Sequence, residues 1–466
     1  MTDISLIREG APLSLSRRVR LAVMLSLPAI FAQLSSIMMQ YIDATMVGHL
    51  GTDPSAAIGL VSTSLWLFWG ICSAMTTGFS VQVAHKVGAG DIEGVRGILR
   101  QAFVASMIFS FTVAGIGIAI SRSLPEWLGG TESICHDASL YFVVFVAALP
   151  LLTVNYLAGG MLRCVGNIKT PSILNILMCV MDCLFNFFFI FPSHHLELGG
   201  VSFTLPGAGL GVLGAALGTV LAESVTAALM FYVVYFRQPE LRLRGSSGSW
   251  RPTRRVISRA FRIAAPMTVE HAVICGAQIA VTTIVAPLGV VAIAANSFAV
   301  TAESLCYMPG YGIADAATTL VGQSYGAGRE PLVKSFARIT VFMGMVVMSV
   351  MGAAMWLGAP YIMEFFSPVQ DICALGTEIL RIETWAEPMF AASIVAYGVF
   401  VGVGRTTVPA IMNFGSIWCV RVPLAWFMAR SMGLKGVWIA MCVELIFRGS
   451  IFLIRLFAFK WHKYVA

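Results

Sequence analysis

The sequence predicts an all-α integral membrane protein with twelve transmembrane helices in two pseudo-symmetric six-helix lobes. Three observations support this fold class: an apolar composition, apolar runs of membrane-spanning length, and a repeat that relates the two halves of the chain. Of the 466 residues, 58% are hydrophobic and 11% are charged, and the mean hydropathy is +0.83. Soluble domains carry about 25% charged residues, so the composition excludes an ordinary soluble protein.

Each apolar run approaches or exceeds the ~20 residues that cross a hydrocarbon core as an α-helix. The strands of a transmembrane β-barrel would instead be short and alternating. The first run is too long for the core of a signal peptide, so we expect it to be retained as a helix. The predicted helices are 21–45, 55–80, 95–120, 137–160, 171–192, 208–236, 258–287, 291–320, 334–358, 376–400, 409–430 and 435–460.

Most of the 30 lysines and arginines fall in alternate loops that include the N-terminus, whereas the opposite loops hold only Arg122, Arg430 and Lys435. The positive-inside rule therefore predicts a multi-pass protein of the plasma (inner) membrane with both termini in the cytoplasm. The net charge of +7 then reflects topology next to anionic lipid, and we expect no nucleic-acid partner. The ten cysteines form no CxxC pair and suit small buried hydrophobic positions.

The two halves of the chain align when the sequence is offset against itself by 238 residues. The matched pairs are Pro28 with Pro266, Leu50-Gly51 with Leu288-Gly289, Gly88-Ala89-Gly90 with Gly326-Ala327-Gly328, Pro150 with Pro388, Gly160 with Gly398, Gly166 with Gly404, Pro171 with Pro409, and Asn175 with Asn413. After the fifth helix the offset falls to 225, which indicates 13 extra residues in the loop 191–206.

The repeat divides the chain into two halves with parallel orientation, because each half holds an even number of helices. We predict an N-lobe over 1–236, a cytoplasmic Arg-rich linker over 237–256 (RQPELRLRGSSGSWRPTRRV) and a C-lobe over 257–466. Folds built from such repeats usually place a substrate cavity between the halves near mid-membrane.

Enzyme and nucleotide-site motifs give no support to other functions. GLGVLG at 209–214 fits GxGxxG, but no predicted strand precedes it, and glycines at the start of a helix suit close packing better. HExxH, GxSxG and GxxxxGK are absent from the sequence. We therefore expect no enzyme activity, no cofactor and no resident metal.

Acidic residues inside the predicted helices are the most informative feature, because intramembrane carboxylates are costly and mark ion or proton paths. These residues are Asp43, Asp182, Glu223, Glu270, Glu303, Asp315, Glu387 and Glu444. Glu444 lies one turn before Arg448, which predicts a structural ion pair. Glu387 either pairs with Arg421 or takes part in function.

Asp43 and Asp182 have no basic residue within a turn, and valines occupy their repeat counterparts. Asn186 lies one turn after Asp182 on the same helix face, and Thr219 of the sixth helix could add a hydroxyl. If the four side chains converge, they suit a proton relay or a hard monovalent cation. We predict H⁺ as the coupling ion, with Na⁺ at Asp43 and Asp182 as the alternative.

Four further residues are candidates for substrate contacts, because polar and soft apolar side chains suit amphipathic ligands. They are Gln33, Met38, Tyr41 and Gln278. A plain packing role is an equally open interpretation for each of them.

Several stretches, in order over both halves, resemble the multidrug and toxic compound extrusion (MATE) family. They are MVGHLG after Asp43, the turns VAHKVGAGD and VGQSYGAGRE, the segments GGMLRCVGNIKTP and GVFVGVGRTTVP, and GLGVLGAALGT at the sixth helix. The resemblance implies a V-shaped pair of six-helix lobes that exports amphipathic, often cationic organic compounds by antiport with H⁺ or Na⁺. We expect a monomer in the lipid bilayer.

The chain is similar to the DinF-like branch of the family, which has its coupling site in the N-lobe. Asp43, Pro28 and Thr219 match that branch, whereas its Asn-x-x-x-Asp pattern is reversed here to Asp182 and Asn186. The other branch uses acids of helices 7 and 10, and this chain has Ile274 and Phe390 at the aligned positions. Glu270 and Glu387 lie about one turn away and keep a C-lobe role open.

The sequence leaves two other functions open. A flippase or exporter for a lipid-linked compound or a specific metabolite would share the two-lobe plan, but a pyrophosphate substrate would favour a strongly basic cavity. A passive channel or a scaffold would need no buried acids.

Overall fold

The computed structural model describes residues 5–8, 12–198, 201–245 and 248–458. Its helices are α1 (Ser5–Arg8), α2 (Leu15–Gly48), α3 (Thr52–Gly88), α4 (Ile92–Ile120), α5 (Leu124–Trp127), α6 (Glu132–Cys164), α7 (Lys169–Ile190), α8 (Gly211–Tyr232), α9 (Arg254–Val285), α10 (Val290–Gly326), α11 (Glu330–Phe366), α12 (Gln370–Glu383), α13 (Glu387–Val403), α14 (Thr407–Ser416), α15 (Val422–Met432) and α16 (Leu434–Ala458). We call α2–α8 the N-lobe and α9–α16 the C-lobe.

Each of the twelve predicted helices has a counterpart, which confirms the predicted fold class. Among the described residues, eleven helices are long and apolar enough to cross a membrane, and a bent pair counted as one span makes twelve. The bent pair is α12 with α13, which meet at 58° within the predicted helix 376–400. A π-helical turn, Val233–Arg237, extends α8, and another, Ile417–Arg421, joins α14 to α15.

The 13 extra residues of the first half belong to a β-hairpin between α7 and α8. Strand β1 (Pro192–Leu198) pairs antiparallel with β2 (Val201–Ala208), in a register that runs from Pro192 opposite Ala208 to Leu198 opposite Val201. The sequence predicted a loop here. Residues 199–200 of that loop, and the topology-setting Lys460 and Lys463, lie outside the described residues.

The repeated glycines end the helices of both halves in the same way. Three pairs have positive φ angles, a backbone conformation that costs glycine little and other residues more. The pairs are Gly51 (124°) with Gly289 (100°), Gly90 (73°) with Gly328 (69°), and Gly166 (91°) with Gly404 (77°). The shared turns explain why these glycines recur at one offset.

An ion pair also joins the last turn of α3 to Asp91, which lies outside the membrane-spanning segments. Lys86 Nζ lies 2.6 Å from Asp91 Oδ2, and the hydrogen bond from Lys86 holds the pKa of the Asp91 carboxyl below its usual value. Asp91 also caps α4, because its Oδ1 accepts the Gly94 N–H at 2.8 Å. The equivalent position in the second half is Arg329.

The two lobes meet closely where α3, α6, α10 and α13 end, and we call this region the closed end. A Cβ added to Gly88 would overlap the carbonyl of Gln323, and a Cβ added to Gly326 would overlap the carbonyl of His85. Small residues allow helix backbones to approach in this way. Because both pairs obey the 238-residue offset, the contact has approximate two-fold symmetry.

The linker packs on the N-lobe at the same end. Leu241 and Leu243 are buried in a core cluster with residues of α3, α4 and α6. Arg96 Nη2 donates to the Pro239 carbonyl at 2.8 Å, and the Thr253 N–H donates to Gln101 Oε1 at 2.9 Å. The predicted lobe boundaries at 236 and 257 stay a prediction.

Candidate functional site in the N-lobe

One amide group joins the two acids that the sequence singled out. Asn186 Nδ2 donates to Asp43 Oδ1 at 2.8 Å and to Asp182 Oδ2 at 3.1 Å. A carboxamide nitrogen carries two hydrogens, so a single side chain satisfies both contacts. The structure thus brings together α2, which carries Asp43, and α7, which carries the other two residues.

The acids differ in their access to the surroundings. Asp43 is partly exposed, whereas Asp182 and Asn186 are fully buried behind it. The carboxyl groups of Asp43 and Asp182 lie within hydrogen-bonding reach of each other, and Thr219 of α8 adjoins Asp182. All four predicted coupling residues therefore lie in one cluster.

Two oxygens in this cluster can each accept a further hydrogen bond. Asp182 Oδ1 and Asn186 Oδ1 are buried and receive no hydrogen bond from the N–H and O–H donors of the described residues. Buried polar atoms without a partner are costly. A proton on a carboxyl group, or a small cation between the oxygens, would satisfy them.

Close packing of α7 on α8 makes room for Asn186. A Cβ at Gly218 would overlap Asn186 Oδ1, and a Cβ at Gly214 would overlap the Phe189 carbonyl. The packing role predicted for the glycines of GLGVLG is thus confirmed at Gly214. Gly209 and Gly211 serve the turn instead, with φ angles of 62° and 58°.

An apolar cluster covers the acids on the side away from the closed end. Val47 lies one turn after Asp43, Ile190 one turn after Asn186, and Ala215 one turn before Thr219. These three residues are buried together. Partly buried neighbours, including Tyr141 and Phe191, pack against them. The cover limits the path of water to Asp182.

The four candidate substrate residues differ in their exposure and in their contacts. Gln33 is partly buried, and Met38 and Gln278 are exposed. The Tyr41 hydroxyl is hydrogen-bonded to the Thr301 carbonyl and to Ser304 Oγ, both on α10. Tyr41 therefore joins the two lobes two residues before Asp43, and its role in substrate binding stays a prediction.

The C-lobe has a neutralised acid where the N-lobe has its site. Arg421 Nη2 lies 2.6 Å and Arg448 Nε 3.0 Å from the carboxylate of Glu444. Ser416 Oγ also donates to Glu444 at 2.5 Å. The predicted Glu444–Arg448 ion pair is confirmed. The suggested pairing of Glu387 with Arg421 is wrong, because Glu444 on the adjacent α16 takes that arginine.

Glu270, Glu383 and Glu387 of the C-lobe are also buried, and no ion pair of the described residues includes them. Glu270 accepts a hydrogen bond from Asn413 Nδ2. Glu387 and Glu383 flank the break between α12 and α13, and both are fully buried. Their carboxylate oxygens receive no hydrogen bond from the described N–H and O–H donors. Sequence reasoning missed Glu383, although an acid within an apolar span was the available signal.

Glu223 is a further N-lobe acid that the sequence noted without assigning it to the site. It lies on α8 one turn from Thr219, toward the closed end, and Asn155 Nδ2 donates to its Oε2 at 3.1 Å. Asn155 was missed entirely. It is a neutral residue on α6, and only the packing of α6 against α8 places it beside an acid.

A family model described as MatE matches this chain over residues 28–188 and 266–427, more than half of its length. The chain belongs to the MatE family. The two matched segments fall in the N-lobe and in the C-lobe. Membership confirms the family resemblance, and the DinF-like branch stays a prediction.

Relatives of this MatE protein share its full length. The probable multidrug resistance protein NorM of Thermotoga maritima is 26% identical over 448 residues, which cover 95% of this chain and 92% of that protein. The probable multidrug resistance protein NorM of Pseudomonas syringae pv. tomato is 24% identical, with 93% of each chain covered.

Solved structures share the fold of this MatE chain. One is the outward-facing conformation of a multidrug resistance MATE family transporter, with a TM-score of 0.87, 20% identity and 98% of each chain covered. Another is the Vibrio cholerae MATE transporter VcmN in the bent form, with a TM-score of 0.84, 18% identity and coverage of 97% and 98%. At these identities the likeness concerns the fold alone.

Proposed function

We propose that this protein is a secondary-active multidrug exporter that moves amphipathic or cationic organic compounds by antiport, with H⁺ as the first coupling ion and Na⁺ as the alternative. The observation that carries the proposal is the Asn186 bridge between Asp43 and Asp182. Family membership and relatives named multidrug resistance proteins support the drug substrates.

The acid pair suits exchange of one positive charge for another. Two carboxylates within hydrogen-bonding reach of each other in a low dielectric repel each other unless a proton or a cation lies between them. Among the described residues, no lysine or arginine forms an ion pair with Asp43 or Asp182. Asp43 is partly exposed, so it can take up the coupling ion and pass a proton on to Asp182.

The transport cycle alternates the side on which this pair is open. Uptake of a proton removes the negative charge that would hold a cationic substrate, and the substrate leaves. Movement of the lobes then exposes the pair to the other side, where proton loss restores the negative charge. Folds built from parallel repeats support such rocking of one half against the other.

The orientation follows from the basic residues. The helix ends and the linker at the closed end carry Lys86, Lys169, Arg254 and Arg255, among others, and this supports a cytoplasmic closed end under the positive-inside rule. The N-lobe acids then lie toward the outside, since Asp43 is about 8 Å along the helix from the end of α2 at Gly48. We infer an inner-membrane monomer without enzyme activity.

The decisive experiment is efflux of a fluorescent organic cation from proteoliposomes under a pH gradient or a Na⁺ gradient, each imposed alone. Wild type should respond to the pH gradient, and Asp43→Asn should reduce efflux to the rate of protein-free liposomes. Asp53→Asn is the matched control, because Asp53 is an exposed acid at the same end of the N-lobe.

Efflux driven only by Na⁺ would retain the site and change the ion. Normal gradient-driven efflux by Asp43→Asn would remove the central claim. An absence of organic-cation transport in wild type under either gradient would overturn the drug assignment.

A further inference from the structure

We propose that His85 is a positioning residue of the transport cycle: in its neutral form it holds the two lobes together at the closed end, and on protonation it releases them. The proposal goes beyond the proposed function, and it does not depend on which ion the N-lobe acids couple to. It starts from a pair of side-chain contacts that the repeat places on opposite lobes.

His85 and Gln323 occupy equivalent positions at the ends of α3 and α10. His85 Nε2 lies 2.7 Å from the Gly402 carbonyl of the C-lobe, and Gln323 Nε2 donates to the Cys164 carbonyl of the N-lobe at 2.7 Å. Gly402 and Cys164 are themselves equivalent, because both pairs obey the 238-residue offset. These two equivalent contacts therefore run between the lobes in opposite directions.

The contacts fix the protonation state of His85. A carbonyl oxygen only accepts, so Nε2 carries the hydrogen that it donates to Gly402. Arg259 Nη2 lies 3.0 Å from Nδ1. Because the guanidinium only donates, Nδ1 must present its lone pair. The structure therefore requires a neutral imidazole with its hydrogen on Nε2.

Protonation removes this arrangement. A hydrogen on Nδ1 would face the N–H of Arg259, and two cations would meet at a contact between a buried imidazole and an exposed guanidinium. Histidine is the side chain whose charge ordinarily changes between about pH 5 and 8. A protonated His85 keeps the hydrogen on Nε2, so the response to pH arises at Nδ1, where Arg259 loses its acceptor. Gln323, which makes the equivalent contact from the other lobe, does not titrate.

The contacts that His85 makes with the described residues include no carboxylate that would compensate the charge. From α9 it faces Arg259, and from α10 it faces the ring of Tyr325, with ring centroids 4.8 Å apart. From the turn after α13 it faces Gly404, which precedes Arg405. The charged residues on these elements, Arg259 and Arg405, are basic, so a protonated His85 is disfavoured while the lobes are closed.

The test is hydrogen exchange of the backbone amides in 86–91 and 324–329, measured on the full chain in nanodiscs without substrate or gradient. After correction for intrinsic exchange, these amides of the wild type should exchange roughly tenfold faster at about pH 5.5 than at about pH 7.5. The reason is that protonation of His85 removes the hydrogen bond from the charged Arg259 to Nδ1. His85→Gln copies the contact of Gln323, so it should stay protected at both pH values.

Arg259→Gln is the second variant, because it keeps an N–H donor and removes the positive charge. It should show a smaller acid-induced increase than wild type. If His85→Gln opens at both pH values, Arg259→Gln decides: a reduced acid response supports the proposal, and an unchanged one overturns it. Absence of an acid response in wild type, or its full retention in His85→Gln, also overturns it. Failure of drug efflux has no bearing on this measurement.

Discussion

The N-lobe and the C-lobe share one helix order and one set of turns, yet they treat buried charge in opposite ways. The N-lobe holds Asp43 and Asp182 together through an amide, and no ion pair of the described residues includes either acid. The C-lobe gives Glu444 two arginines. By the 225-residue offset, Glu444 stands where the N-lobe has Thr219, and Arg448 stands where it has Glu223.

The difference shows how equivalent positions of one fold can carry a neutralised acid in one lobe and an acid pair without an arginine in the other. A carboxylate that is already neutralised by fixed arginines gains little electrostatic energy from binding another cation. An acid pair held by a neutral amide must find a positive charge from outside the protein. The comparison therefore supports the proposal that the C-lobe cluster stabilises the fold and that the N-lobe cluster exchanges the coupling ion.

The largest expected effect comes from removing one N-lobe acid. Asp182→Asn should reduce efflux to the rate of protein-free liposomes, because Asp43 alone no longer forms a pair that shares a proton. The fold should persist, since the amide has the same shape. Efflux and thermal unfolding of the purified variant check both expectations.

A double exchange sharpens this test. Asp182→Asn with Asn186→Asp keeps one acid and one amide on the same face of α7, so it should transport better than Asp182→Asn alone. A double variant no more active than the single one would show that the position of the acid, and not the pair itself, is decisive.

Removing the neutralised C-lobe acid should affect stability more than transport. Glu444→Gln leaves Arg421 and Arg448 buried without a counter-charge, which should lower the free energy of unfolding by ~3–5 kcal/mol. Glu378→Gln is the matched control, because its ion pair with Lys435 (2.6 Å) is exposed and should be worth less than about 1 kcal/mol. Equal thermal stability of the two variants would contradict the structural role.

The smallest expected effect tests the packing that the N-lobe site requires. Gly218→Ala should displace Asn186 and slow efflux with a loss of stability of about 1–3 kcal/mol, since overpacking forces neighbours to move. The C-lobe counterpart is Val443, which is exposed and needs no such space. Gly115→Ala is the control, because an added Cβ there meets open space; comparable efflux from both variants would argue against the displacement.

The twelve spans and the two lobes could be predicted because both depend on local properties. Transfer of a run of about 20 apolar residues into lipid is favourable whatever its neighbours are. The repeat is visible because turns with positive φ need glycine in both halves. Asp182 and Asn186 could be paired from sequence, since helix geometry places residues four apart on one face.

The sequence by itself determined which residues lie in membrane helices and which acids lack a local partner. Only the tertiary structure decided that Asn186 also reaches Asp43, that Arg421 pairs with Glu444 and not with Glu387, and that the chain breaks before Pro388 although its counterpart Pro150 lies within an unbroken helix. The reason is physical: hydropathy places a helix in lipid, but which helices adjoin depends on packing between side chains far apart in sequence.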